Sequence, residues 1–169
     1  MNQLLALLGS AVVMGLGATL TFDLWALFLK HAFRMTPSNL CLVGRWLGYM
    51  PDGIFRHTNI AATPAKRAEC AVGWTAHYLI GVTFALAFVA VVGQPWLRQP
   101  TPIPALLFGI ITVLAPFFVM QPLMGLGWAA SKTAQPTPAR MRSLMNHAAF
   151  GVGLYLFALA VNGWSFFRA

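Results

Sequence analysis

Apolar positions in this chain come in long blocks, and polar ones are confined between them. The blocks occupy about residues 4–33, 71–93, 103–130 and 144–167. Each meets or exceeds the roughly 20 residues that a helix needs to cross about 30 Å of hydrocarbon. Four buried helices of a soluble bundle would each need a polar face, and none shows one. The blocks also lack the alternation of barrel strands, which leaves the hydrogen-bonded helix as the spanning form. The predicted fold is all-α: a polytopic membrane protein whose four transmembrane helices form one bundle, a single domain over residues 1–169. The first block has no basic residue before it and outruns the roughly 7–15 residues of a signal peptide's apolar core, so it is expected to remain as a helix.

The loop 34–70 is the one sizeable segment between blocks. Pro37-Ser38-Asn39 reads as a helix start, and Pro51-Asp52-Gly53 as its stop. The helix predicted between them, Leu40 to Met50, carries Leu40, Val43, Trp46, Leu47 and Met50 with one charge at Arg45. It is expected to lie in the membrane interface or to fold back against the bundle. Segments 94–102 and 131–143 are short and proline-rich, as tight connections between neighbouring helices should be.

Composition supports this pattern. Hydrophobic residues make up 59% and charged residues 8%, against roughly 45–50% and about 25% in soluble domains. Mean hydropathy is +0.71. A soluble enzyme, a disordered regulator and a disulfide scaffold are excluded as first readings. Of the 11 Lys and Arg, nine fall in the first and third connections (Lys30, Arg34, Arg45, Arg56, Lys66, Arg67, Lys132, Arg140, Arg142) and two, Arg98 and Arg168, on the opposite side. The positive-inside rule then places both connections in the cytoplasm and both termini in the periplasm. The same asymmetry accounts for the net charge of +8 without a nucleic-acid partner. The bilayer is the expected partner, together with a homodimer or larger membrane assembly. Cys41 and Cys70 fall on the reducing side, so no structural disulfide is expected, and two cysteines 29 positions apart fit no metal-ligand spacing.

Candidate chemistry lies in the few polar residues within the blocks. Asp23 is the sole acid there, and a charge at mid-membrane costs at least about 2.5–3.5 kcal/mol on insertion scales, so such groups face protein or water. At 1.5 Å per residue, Asp23 lies roughly 10 Å inside Lys30 and His77 roughly 9 Å inside Ala71. By the same measure Gln121 lies about 15 Å inside Ser131, and His147 about 6 Å inside Ser143. Small residues share their faces: Gly15, Thr19 and Asp23 in the first helix, Gly73, His77 and Gly81 in the second, Gly125 near Gln121, Gly151 near His147. Such residues mark close helix contacts, so a buried Asp23–His77–Gln121–His147 cluster is expected. His77-x-x-x-Gly81 and His147-x-x-x-Gly151 also echo one another, suggesting a pair of related hairpins.

Several uses of the cluster stand open at this point. An acid and two imidazoles can relay protons or accompany a solute. The two histidines could instead ligate haem or a metal, although no metal-ligand motif is present and no cofactor is expected. Alternatively, Asp23 could fix helix register by accepting bonds from a histidine and Thr19. Pro116 and Pro122 predict a kinked or partly unwound third helix, a recurring feature of solute sites. Met14, Met120 and Met124 read as lipid-facing or packing residues in preference to a soft-metal path. Arg45, Arg56 and His57 are candidates for the cytoplasmic mouth. No Gly-rich phosphate loop, Ser/His/Asp constellation or thiol pair is present, so an enzyme is not expected.

The stretches Gly15-Leu16-Gly17-Ala18-Thr19 to Asp23-Leu24-Trp25, and Leu42-Val43-Gly44-Arg45-Trp46-Leu47-Gly48, resemble an uncharacterised family of small bacterial inner-membrane proteins. So do Phe55-Arg56-His57, Ala76-His77-Tyr78-Leu79-Ile80-Gly81, Ala115-Pro116-Phe117, Met120-Gln121-Pro122 and His147 to Tyr155. The resemblance covers nearly the whole chain. It implies the fold and a location in the bacterial inner membrane, but no activity. The motifs that carry it coincide with the polar cluster and the Arg45 loop. The reading is a small transport-related or permease-like protein with Asp23 and His77 as a protonatable pair. The alternatives are an accessory or structural membrane subunit, and a haem or metal protein.

Overall fold

The computed structural model describes residues 2–166, with side chains for 4–163; Phe167 and Arg168, invoked above, lie outside the described residues. Six α-helices carry the architecture: α1 Asn2–Phe33, α2 Leu40–Tyr49, α3 Glu69–Arg98, α4 Pro102–Ile111, a short α5 Gln121–Leu123 and α6 Pro136–Phe166. Among the described residues there is no strand. Four helical segments are long and apolar enough to cross a membrane: Leu4–Phe33, Glu69–Arg98, Pro102–Leu123 and Pro136–Gly163. Their outward faces carry exposed apolar residues such as Leu24, Leu79 and Val91, a surface that acyl chains can cover and water cannot.

The helices lie side by side in the order α3, α1, α6, α4, with α2 packed on α3. Glycines set each crossing, because without a hydrophobic drive between helices the gain comes from backbones that approach closely. A Cβ on Gly15 would stand 2.5 Å from Val82 Cα, and one on Gly109 would stand 2.5 Å from Gly151 Cα. A Cβ on Gly153 would meet Ala18 Cα at 2.6 Å. Between these crossings Ala11, Met14, Ala18, Ala85, Leu154 and Ala158 form a fully buried core of mostly small side chains. Met14 and Met124 are buried packing residues, as expected.

The helix foreseen in the first loop forms with its signals in place. The Asn39 side chain accepts from the Cys41 N–H at the start of α2, which satisfies one of the orphan amides of a helix N-terminus. Gly53, at φ +76°, closes the other end. The helix folds back onto α3 at a crossing where a Cβ on Gly44 would stand 1.7 Å from Glu69 O, and one on Gly73 1.9 Å from Leu40 O. One turn before each glycine sits a cysteine, and here the structure corrects the sequence reading: Cys41 and Cys70 are joined in a disulfide. Their separation in sequence gave no hint of it. The cause is the backbone-on-backbone contact of Gly44 with Gly73, which brings both Cβ atoms into bonding range.

Two blocks depart from a straight helix. α3 bends at Gly93, whose φ of +69° breaks the helix where the second apolar block ends. The third block is broken, as its prolines predicted: after α4 come a turn, a π-helical turn over Pro116–Met120, and α5. Proline supplies no N–H to the ladder, which favours such irregular turns. The helix then stops at Leu123, short of residue 130. Gly125 and Gly127 take positive φ there, and the first loop docks through His57 N to Leu123 O at 2.7 Å and Ile60 N to Met124 O at 3.1 Å.

Candidate functional site

α1 and α3 meet with Asp23 facing His77. His77 Nε2 lies 2.9 Å from Asp23 Oδ1, and the Tyr78 hydroxyl donates to Oδ2 at 3.0 Å. The Asp23 and His77 side chains are 20% and 17% exposed, so this acid is held by protein rather than turned outward. His147 of α6 forms a second, separate pair with Thr112, just beyond α4, at 2.8 Å between Nδ1 and Oγ1. The Phe22 ring touches both imidazoles edge-on, with centroids 5.2 Å from His77 and 5.7 Å from His147.

The expected four-membered cluster is therefore two pairs with an aromatic ring against both. Gln121 is buried and makes no side-chain hydrogen bond to either pair, and its Oε1 has no partner among the described residues. Thr19 donates to Gly15 O of its own helix and not to Asp23. Sequence reasoning missed Tyr78 and Thr112. Tyr78 adjoins His77, but neighbouring residues on a helix point about 100° apart, so only the position of α1 brings both to one carboxylate. Thr112 stands one turn past Gly109, and that crossing glycine was its available signal.

Two cavities adjoin the pairs. One, about 340 Å³, is lined by Phe22, His77, Phe84, Thr112, His147 and Phe150 among others, with Leu40, Val43, Trp46 and Leu47 of α2 as its roof. Pro116, Val119 and Met120 of the π-helical turn close another side. The second, about 220 Å³, contains Asp23, Lys30, Ser38 and Trp74. His77, Phe22 and Leu40 line both, so one imidazole stands in the partition between a cleft that holds Asp23 and Lys30 and a chamber without a charged carboxylate or ammonium group.

The roof is fastened by Arg45. Its Nε and Nη2 donate to the two oxygens of Glu69, each at 2.8 Å, and Nη1 reaches the carbonyls of Ile60, Ala61 and Thr63. This bidentate fork suits guanidinium and carboxylate. The hydrogen bond to Glu69 raises the pKa of Arg45 above its ordinary value. His57 is buried against the Tyr49 ring and within 3.4 Å of Thr63 Oγ1. Arg56 is exposed. Of the three mouth candidates, Arg45 and His57 are thus engaged by the protein itself. Among the described residues no three His, Cys, Asp or Glu side chains come together as a metal site. The Nε2 of His77, the usual haem-ligating atom, is turned to Asp23.

No curated protein and no solved structure matches the chain. Residues 12–161, a stretch containing every helix crossing and both imidazole pairs, match the profile of the family described as Protein of unknown function (DUF2938), and the chain belongs to that family.

Proposed function

We propose that this is an integral protein of a bacterial inner membrane that acts as a small permease-like carrier, with Asp23 and His77 exchanging a proton as a solute occupies the adjoining chamber. The observation that carries this reading is the placement of His77, bonded to Asp23 on one side and lining the apolar chamber on the other. An ionisable pair within apolar helices is costly unless it has work or partners, and this pair opens onto space where a molecule can sit. In this reading the first and third connections face the cytoplasm, which the nine-to-two division of Lys and Arg supports.

A second reading, an accessory membrane subunit, draws on the saturation of Asp23, whose two oxygens both bridge α1 to α3 and so hold helix register. Proteoliposomes enclosing a pH-sensitive dye separate the two. After an acid pulse, the wild-type protein is expected to equilibrate protons at least tenfold faster than Asp23→Asn, which keeps the side-chain shape and removes the titrating group. Equal rates in both would leave the accessory reading standing.

A further inference from the structure

The chamber beside His77 offers an unusual choice of hydrogen-bond partners. Each side-chain N–H or O–H on its wall is already committed. The Thr19 hydroxyl donates to Gly15 O, the Thr112 hydroxyl to Gly109 O, and the Trp46 indole to Phe55 O. Since a hydroxyl has a single proton, Thr112 must accept from His147, which makes His147 the Nδ1–H tautomer. His77 directs its Nε2–H at the Asp23 carboxylate. What remains on His147 is its Nε2 lone pair, not bonded among the described residues.

A chamber whose hydroxyl and indole protons are all committed, and which offers the His147 lone pair, selects its occupant. A quinone, ketone, ester or carboxylate would bury acceptors with nothing to satisfy them, at a cost of a few kcal/mol in an apolar site. A hydroxyl would find a partner. The rest of the wall is apolar and rich in rings: Phe22, Trp46, Phe84 and Phe150. The way in is lateral. α3 and α4 barely touch, and the lining residues Ile80 and Val119 are also 45% and 54% exposed on the outer, lipid-suited surface. A volume of about 340 Å³ lies at the small end of ligand sites, room for one ring with a short chain.

We infer that this chamber is a binding site for a lipophilic phenol that enters from the bilayer and donates its hydroxyl proton to His147 Nε2. Binding itself follows from the chamber's chemistry; that the phenol is the carried solute rests on the carrier reading above.

The test uses the full chain in phosphatidylcholine nanodiscs, titrated calorimetrically against empty nanodiscs. The probes are 4-propylphenol and its methyl ether, which has the same body and no proton to donate. The phenol is expected to bind at least tenfold more tightly than the ether. His147→Phe keeps a ring and removes the acceptor, and it should lower phenol affinity to that of the ether. Should that variant misfold, Ala115→Trp fills the chamber from its wall and should abolish binding of both probes. Equal binding of phenol and ether, no binding beyond empty nanodiscs, or undiminished binding in Ala115→Trp would each overturn the inference. Phenol selectivity without a proton response to Asp23→Asn removes the carrier reading alone. A proton response without phenol selectivity removes this one alone.

Discussion

Asp23 shows how far single residues could be read. An acid in an apolar helix announces that it has partners, and His77, with small residues on its own face, was the natural one. The identity of the remaining partners depended on helix rotation, which no local pattern encodes. Tyr78 reaches the carboxylate because α1 lies between two successive positions of α3. Gln121 stands apart because it follows the π-helical turn Pro116–Met120. One extra residue in a turn rotates everything after it by about 100°, so extrapolating a regular helix aims Gln121 at the wrong neighbour. If the Tyr78 hydroxyl holds Asp23 as described, Tyr78→Phe should destabilise the purified protein by about 1 kcal/mol. Thermal unfolding in detergent would register this, and an unchanged midpoint would mean the bond contributes nothing.

Among the elements, α2 was the most legible. Its cap residues and its closing Pro-Asp-Gly are local chemistry, and the helix runs Leu40–Tyr49 between them. Where it docks was not legible, because docking rests on two glycines almost thirty positions apart that have meaning only as a pair. A methyl group at Gly44 would lie 1.7 Å from a backbone oxygen that cannot move without shifting α3. Gly44→Ala is therefore expected to cost about 1–3 kcal/mol and to speed amide exchange throughout α2. Gly9, also in a helix, has nothing within 4 Å of such a methyl, and Gly9→Ala should cost nothing. Similar losses at both sites would show that helix propensity, and not the crossing, governs the result. The third span was half legible: its prolines foretold the break, but its end at Leu123 follows from the loop that docks there, a contact distant in sequence.

Over the whole molecule, the faint sequence echo acquires a structural counterpart. Gly81 crosses α1 and Gly151 crosses α4, and one turn before each stands a histidine bonded to a side chain of the helix it crosses or its continuation. The first two spans and the last two thus share a His–Gly crossing, although its histidine stands on the outer helix of one pair, α3, and on the inner helix of the other, α6. The four spans themselves could be read from hydropathy alone, since acyl chains impose that pattern on any helix that touches them.

The bond between Cys41 and Cys70 sets two cellular rules against each other. Covalent sulfur pairs persist on the oxidising face of a bacterial membrane, whereas arginine-rich connections stay on the face where glutathione is abundant. On the proposed orientation, with nine basic residues on the inner face, the link should open in growing cells and close once they are broken in air. Acid-quenched cells treated with a mass-adding maleimide are then expected to yield a chain shifted by two adducts. An unshifted chain, made reactive only after reduction, would turn the molecule upside down in its membrane, with the roof of the chamber facing outward. A single gel can therefore serve as a compass for this protein.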